Sequence, residues 1–268
     1  STPSPKGQIL RQQIAELGHP LPRLGSIHAN LVLLHGRKGR KEDLLPIAER
    51  YTALGFRCLI PDLPAHGDSP LPHSQYGSGT FERDLPARLL AELATRHHFD
   101  PAPAYLWGLS MGGSFAIHAA SQPASPFEKI IVLSSFDQLD GVLTDNAARY
   151  LGPFLARHFI AALRQICRAR SDFDPAEVRP ADRADRLTQP TLVLHGTADQ
   201  FVATSRGEAL HRALASPQKR FLPITDATHD NPLTTPQAVH AAIMEFLLSS
   251  TQSKNSHRNS PAHAPSSL

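Results

Sequence analysis

From Asn30 onward, short continuous apolar runs alternate with segments whose apolar residues recur at helical spacing. Leu31-Val32-Leu33-Leu34 is closed by Gly36 and reads as a strand buried on both faces, because a strand with one wet face would alternate apolar and polar residues. Leu44, Ile47, Ala48, Tyr51 and Leu54 then follow a helical period up to Gly55. The alternation is sustained along the chain. Strands are predicted at 57–60, 104–107, 130–133, 191–194 and around Phe221, and helices at 80–95, from Met111, at 205–214 and at 236–248. Strand–helix alternation with uniformly apolar strands implies a mostly parallel central sheet covered by helices on both faces, an α/β fold.

Three stretches depart from this rhythm. Residues 1–28 contain Pro3, Pro5, Pro20 and Pro22 without a clean period. Leu10, Ile14 and Leu17 would share a helix face, yet the stretch also fits irregular leading strands, and it is expected to be an irregular N-terminal segment. Between the core blocks 29–135 and 189–249, residues 136–188 are helical where readable, over 147–159 and 160–170. An insertion this long predicts a helical cap rather than a loop. Its Leu151, Phe154, Leu155, Phe159 and Leu163 are candidates either for an acyl pocket or for the cap's own core. Residues 250–268 are Ser, Asn, His and Pro with nothing apolar to pack, which predicts a disordered tail.

Composition narrows the function classes without selecting one. A chain of 268 residues has room for one large α/β domain, and its longest apolar runs are too short to form an integral membrane segment. The net charge of +3 is spread thinly, with no Lys/Arg block of the kind that binds nucleic acid. Cys58 and Cys167 are far apart and make neither a disulfide framework nor a metal site. The chain begins at Ser1 with no apolar targeting segment, so both a cytoplasmic location and export after leader removal fit. Oligomeric state is not legible in these features.

The chemistry begins at Gly108-Leu109-Ser110-Met111-Gly112. A G-x-S-x-G pentapeptide arises by chance in about one protein of this length in ten, given ordinary Gly usage. Here it lies directly between a predicted strand (Tyr105-Leu106-Trp107) and an Ala-rich helix, the setting in which a sharp turn lifts a nucleophilic serine above a sheet. Acyl transfer from Ser110 needs a histidine to take its proton and a carboxylate to hold that histidine. Among 15 histidines, chain order and position select. The partners of such a serine follow it as acid and then histidine, each on a loop beyond a strand. Asp199, after the 191–194 strand, and His229, after the last strand, satisfy both conditions. His35 and His66 precede Ser110 in Gly-containing loops that suit structural roles, and His195 lies on the strand side of its turn. Asp226 and Asp230 neighbour His229 too closely to reach its far ring nitrogen easily.

With Leu33-Leu34-His35-Gly36, Pro61-Asp62-Leu63-Pro64-Ala65-His66-Gly67-Asp68-Ser69, Gly108 to Gly113, and Leu194-His195-Gly196-Thr197-Ala198-Asp199, the chain resembles the α/β-hydrolase superfamily from about residue 31 to 248. It is most similar to small esterase and lysophospholipase-like members, which include serine aminopeptidase relatives. Thr228 and Ala65 stand where many relatives carry Gly. The resemblance implies an oxyanion hole built from the backbone N–H groups of Arg37 and Met111. It also implies hydrolysis of a small-molecule ester or acyl substrate, ester or thioester, with no metal and no cofactor. An amide or peptide hydrolase on the same residues, or a non-catalytic ligand-binding protein on the same fold, are the alternatives. A Ser nucleophile disfavours dehalogenase and epoxide hydrolase chemistry, which depend on an alkyl-enzyme ester. The acyl-chain preference is not written in these motifs.

Overall fold

A computed structural model describes residues 2–171, 173–235 and 238–249. Six strands form one parallel sheet: β1 (Ala29–Leu34), β2 (Phe56–Leu59), β3 (Ala104–Leu109), β4 (Phe127–Leu133), β5 (Thr191–Gly196) and β6 (Lys219–Ile224). Their spatial order is β2-β1-β3-β4-β5-β6. The chain therefore winds outward from β1 to β2, reverses, and then builds steadily from β3 to β6. In an open parallel sheet, the crevice beyond the strand ends at such a reversal is where ligands bind. The apolar runs that predicted the strands are buried for the reason given: every residue of β1 and β5 is inaccessible.

Alternate strand residues feed two cores. Leu31, Leu33, Trp107 and Ile131 face helices α1 (Pro5–Glu16), α2 (Leu45–Thr52) and α8 (Val239–Leu248). Val32, Leu34, Leu106 and Val132 face α3 (Thr80–His97), α4 (Met111–Ala120) and α7 (Thr204–Ala213). Helices on both faces close the sheet as the pattern implied.

The N-terminal expectation is corrected. Residues 5–16 form helix α1 rather than an irregular segment. Pro5 opens the helix with a fixed φ, Ser4 Oγ accepts the N–H of Gly7 at 3.1 Å, and Leu10 and Ile14 are buried in the first core. Leu17, the third apolar residue of the series, is left exposed. Residues 17–28 carry no helix or strand.

The insertion after β4 is dominated by α5 (Leu139–Ser171), followed by the short α6 (Ala181–Ala184). The expected break between 159 and 160 falls instead at Gly152, where φ is 73° and ψ 160°. Gly152 adopts that left-handed φ freely, and Pro153 after it lacks the N–H that would continue the ladder. The part of α5 before Gly152 is anchored: Leu139 and Val142 pack with Phe136, Val178 and Val202. Arg206 adds ion pairs to Asp137 and Asp145. No described helix is long and apolar enough to cross a membrane. The predicted disordered tail at 250–268 lies outside the described residues, as do Pro236 and Gln237 of the predicted last helix.

Candidate active site

The turn between β3 and α4 is forced by its two glycines. A Cβ on Gly108 would lie 2.1 Å from the carbonyl oxygen of Gly112, and one on Gly112 would lie 2.1 Å from that of Leu34. With both absent, the chain turns tightly enough to hold Ser110 at φ 53° and ψ −114°. A left-handed φ on a non-Gly residue costs on the order of 1–3 kcal/mol and persists only where its surroundings fix it. Here Ser110 N–H donates to Leu133 O at 2.8 Å, and Ser135 Oγ donates to Ser110 O at 2.8 Å, so β4 locks the turn from the side.

Three loops beyond the C-terminal ends of β3, β5 and β6 bring Ser110, Asp199 and His229 into one line. His229 Nε2 is 3.1 Å from Ser110 Oγ, and His229 Nδ1 is 2.7 Å from Asp199 Oδ2. A carboxylate only accepts, so the imidazole proton belongs on Nδ1, leaving Nε2 free to accept from the serine. The other oxygen of Asp199 accepts the N–H groups of Phe201 at 3.0 Å and Val202 at 2.8 Å. Burial alone would raise the Asp199 pKa, but hydrogen bonds from His195 and His229 outweigh it and hold the carboxyl down at about 2. Asp199 is therefore a fixed anion at neutral pH.

His195 sits on the strand side of its turn, within β5. It is fully buried, and its Nε2 lies 2.9 Å from Val202 O and 3.4 Å from Asp199 Oδ2. The only sequence signal for it is its spacing of four residues from Asp199. His35 has the structural role expected of it. Its Nδ1 faces Gly36 O at 2.8 Å, and its Nε2 accepts the N–H of Leu63 at 3.0 Å, tying the loop after β1 to the loop after β2. Asp226 lies at the turn leaving β6, where its backbone N–H donates to Thr197 Oγ1, and the carboxylate bound to His229 is that of Asp199.

The backbone N–H groups of Arg37 and Met111 donate to no protein acceptor among the described residues. Met111 opens α4, where unpaired amides and the helix dipole favour negative charge. Two cavities meet at Ser110. One of about 400 Å³ is polar-edged, with Arg37, Lys38, His229 and Asp230 on its walls. The other, about 270 Å³, is lined mainly by Tyr76, Phe136, Leu139, Val142, Leu143 and Phe201. Arg37 borders both.

None of the cap residues proposed from sequence lines either cavity. Leu151, Phe154, Leu155 and Phe159 are exposed instead, and Leu163 is half-buried. The apolar lining comes from the start of α5 and from residues just past strand ends, such as Phe136 after β4 and Phe201 after Asp199. Position relative to the strand termini was the signal available for them.

Comparison with known proteins matches this architecture. Residues 31–242 match the profile described as "Alpha/beta hydrolase family". A pimeloyl-[acyl-carrier protein] methyl ester esterase of Vibrio vulnificus is 25% identical over 253 residues, covering 81% of this chain and 93% of that protein. Among solved structures, a monoacylglycerol lipase of Paleococcus ferrophilus superposes with a TM-score of 0.60 at 21% identity, over 82% of this chain and 93% of the other. A thermophilic esterase of Thermogutta terrifontis superposes with a TM-score of 0.55 at 24% identity, over 83% and 90%. Identity at these levels shows a shared fold.

Proposed function

The chain belongs to the alpha/beta hydrolase family, and on that premise we propose that it hydrolyses a carboxylic ester or thioester through an acyl-enzyme on Ser110. The observation that carries this reading is the continuous hydrogen-bonded line from Ser110 Oγ through His229 to Asp199. Ester-cleaving proteins among its relatives support it.

In the first step Ser110 Oγ attacks the carbonyl carbon while His229 Nε2 takes the hydroxyl proton. Asp199 holds the Nδ1 proton in place and stabilises the imidazolium that forms. The N–H groups of Arg37 and Met111 receive the oxyanion. Such donors contribute about 2.7–4 kcal/mol each in an acyl-transfer site. The imidazolium returns its proton to the leaving alcohol or thiol, and water then repeats the sequence on the acyl-enzyme. The acyl chain occupies the apolar cavity beside Phe136, Val142 and Phe201, and the leaving group faces the polar cavity beside Lys38 and Asp230.

A fluorophosphonate probe tests the nucleophile. The wild type is expected to be labelled once, and Ser110→Ala not at all. A folded wild type that resists labelling would overturn the proposal. Nitrophenyl esters of graded length test the bond and the pocket, with turnover expected on short and medium acyl chains. Failure on every ester and thioester, with cleavage of an amide series, would move the reaction to amide hydrolysis.

A further inference from the structure

A polar cavity of about 530 Å³ lies away from Ser110. It opens between the start of α3, the side of α4 and residues 173–186. The N-cap of α3 is Gly79, which has no side chain to cap the helix, and the N–H groups of Thr80, Phe81 and Glu82 donate to no acceptor among the described residues. The one acid of its first turn, Glu82, does not border the cavity and accepts the N–H groups of Gln75 and Gly77, so the N–H groups at the start of this 18-residue helix present partial positive charge to the cavity.

Four arginines and three acids border it, and the arginines outnumber the acids left unpaired. Arg83 donates from Nη2 to Ser78 O at 2.7 Å, while its buried Nε has no partner among the described residues. Arg183 and Arg186 also border the cavity and make no ion pair with any described residue. Of the acids present, Asp174 is taken by Arg164 and Arg168, and Asp182 by Arg179 at 2.6 Å. Glu177 alone is left, exposed at the rim.

His118 supplies the independent sign of a ligand. It is 3% exposed, borders the cavity, and its Nε2 has no hydrogen-bond partner among the described residues. Burial, with Arg183 and Arg83 nearby, pushes its pKa down to about 4, so the ring is neutral at pH 7 and carries one N–H to give. An unpaired buried imidazole nitrogen costs about as much as a lost hydrogen bond, and a ligand oxygen would relieve it. Donors from a helix end, three guanidiniums and one imidazole, with no unpaired buried acceptor bordering the cavity among the described residues, suit a compact oxyanion.

We propose that this cavity, bounded by the N-terminus of α3, Arg83, His118, Arg183 and Arg186, is a second ligand site that binds a phosphate group. It is separate from the acylation site. His118 lies eight residues along α4 from Ser110, about 12 Å at 1.5 Å per residue. The wall between the two sites is a stacked pair, Tyr76 and Phe173, with ring centroids 6.1 Å apart and planes inclined by 11°. Tyr76 faces the apolar cavity at Ser110 and Phe173 faces the arginines. Tyr76 O also accepts from Ser114 Oγ of α4 at 2.7 Å, so a bound anion and the acyl pocket share a wall.

Calorimetric titration of the full chain with inorganic phosphate, and separately with butyl phosphate, tests the site without any turnover. Saturable binding is expected with half-saturation at or below about 1 mM for at least one of them. The Ser110→Ala variant should bind equally well. In the double variant Arg183→Ala/Arg186→Ala, binding should weaken at least tenfold. Its melting temperature should stay within about 2 °C, since neither side chain has an ion-pair partner among the described residues. Equal affinity for the two ligands would identify free phosphate as sufficient. A tenfold preference for butyl phosphate would identify the phosphate end of a larger molecule. No saturable binding of either ligand, or undiminished binding by the double variant, would overturn the proposal.

Discussion

Helices α4 and α5 both follow a central strand, and α4 begins directly after Ser110 while the start of α5 lines the apolar cavity there, yet they are built on opposite terms. All ten residues of α4 are buried between the sheet and α3. Of the 33 residues of α5, the buried ones are Leu139, Gly141, Val142, Ala156 and Ile160, while Tyr150, Phe154, Leu155, Phe159 and Ile166 face outward. The difference teaches where rigidity is placed. The helix that orients the candidate nucleophile has no freedom to repack, because every side chain already touches the core. The neighbouring helix is anchored in an apolar cluster through its first turns, buries only Ala156 and Ile160 beyond Gly152, and reaches the site through those first turns alone.

The largest effect should come from the head of α4. Ser110→Ala is expected to lower ester turnover by about 10⁵–10⁶-fold with melting unchanged, measured on the same nitrophenyl ester. Next comes the carboxylate that orients His229. Asp199→Asn should cost about 10⁴-fold in kcat, because the amide can no longer hold the imidazole in the required tautomer. Asp199 also leaves a signature in acid. Its folded pKa, about 2, lies below the unfolded value near 3.9, so its contribution to stability is complete above about pH 4 and is lost as pH falls toward 2. Urea midpoints recorded between pH 5 and 2.5 should fall less steeply for Asp199→Asn than for wild type.

Two substitutions in α5 sharpen the contrast within that helix. Val142→Trp, at its anchored start, should fill the apolar cavity and lower kcat/KM for medium-chain esters about 10–100-fold, with a smaller loss on acetates. Phe154→Ser and Phe159→Ser, beyond Gly152, should change stability by no more than about 0.5 kcal/mol, since both rings are already in water. A large drop in melting temperature for either would show that this face is packed in solution.

The same contrast explains what was legible in the sequence. A strand buried on both faces must be uniformly apolar, so β1, β3, β4 and β5 could be located, and with them the loops that bring Ser110, Asp199 and His229 together. Apolar residues at helical spacing reveal a stripe but not whether anything covers it. For that reason Phe154 and Phe159 read as pocket or core and are neither. Helix α1 was obscured by prolines whose role, opening a helix at Pro5, depends on the cap at Ser4. The place of His195 beside Asp199 arises only when the loop after β5 folds back, which no apolar period encodes.

A ribosome emits Ser110 119 residues ahead of His229. At roughly 5–20 residues per second, that is an interval of about 6–24 s during which the serine is an ordinary alcohol. Its proton acceptor exists only once β5 and β6 have been added to the growing edge of the sheet. Under the proposed mechanism, half-made chains cannot attack cellular esters, and the onset of turnover reports that the last strand has docked.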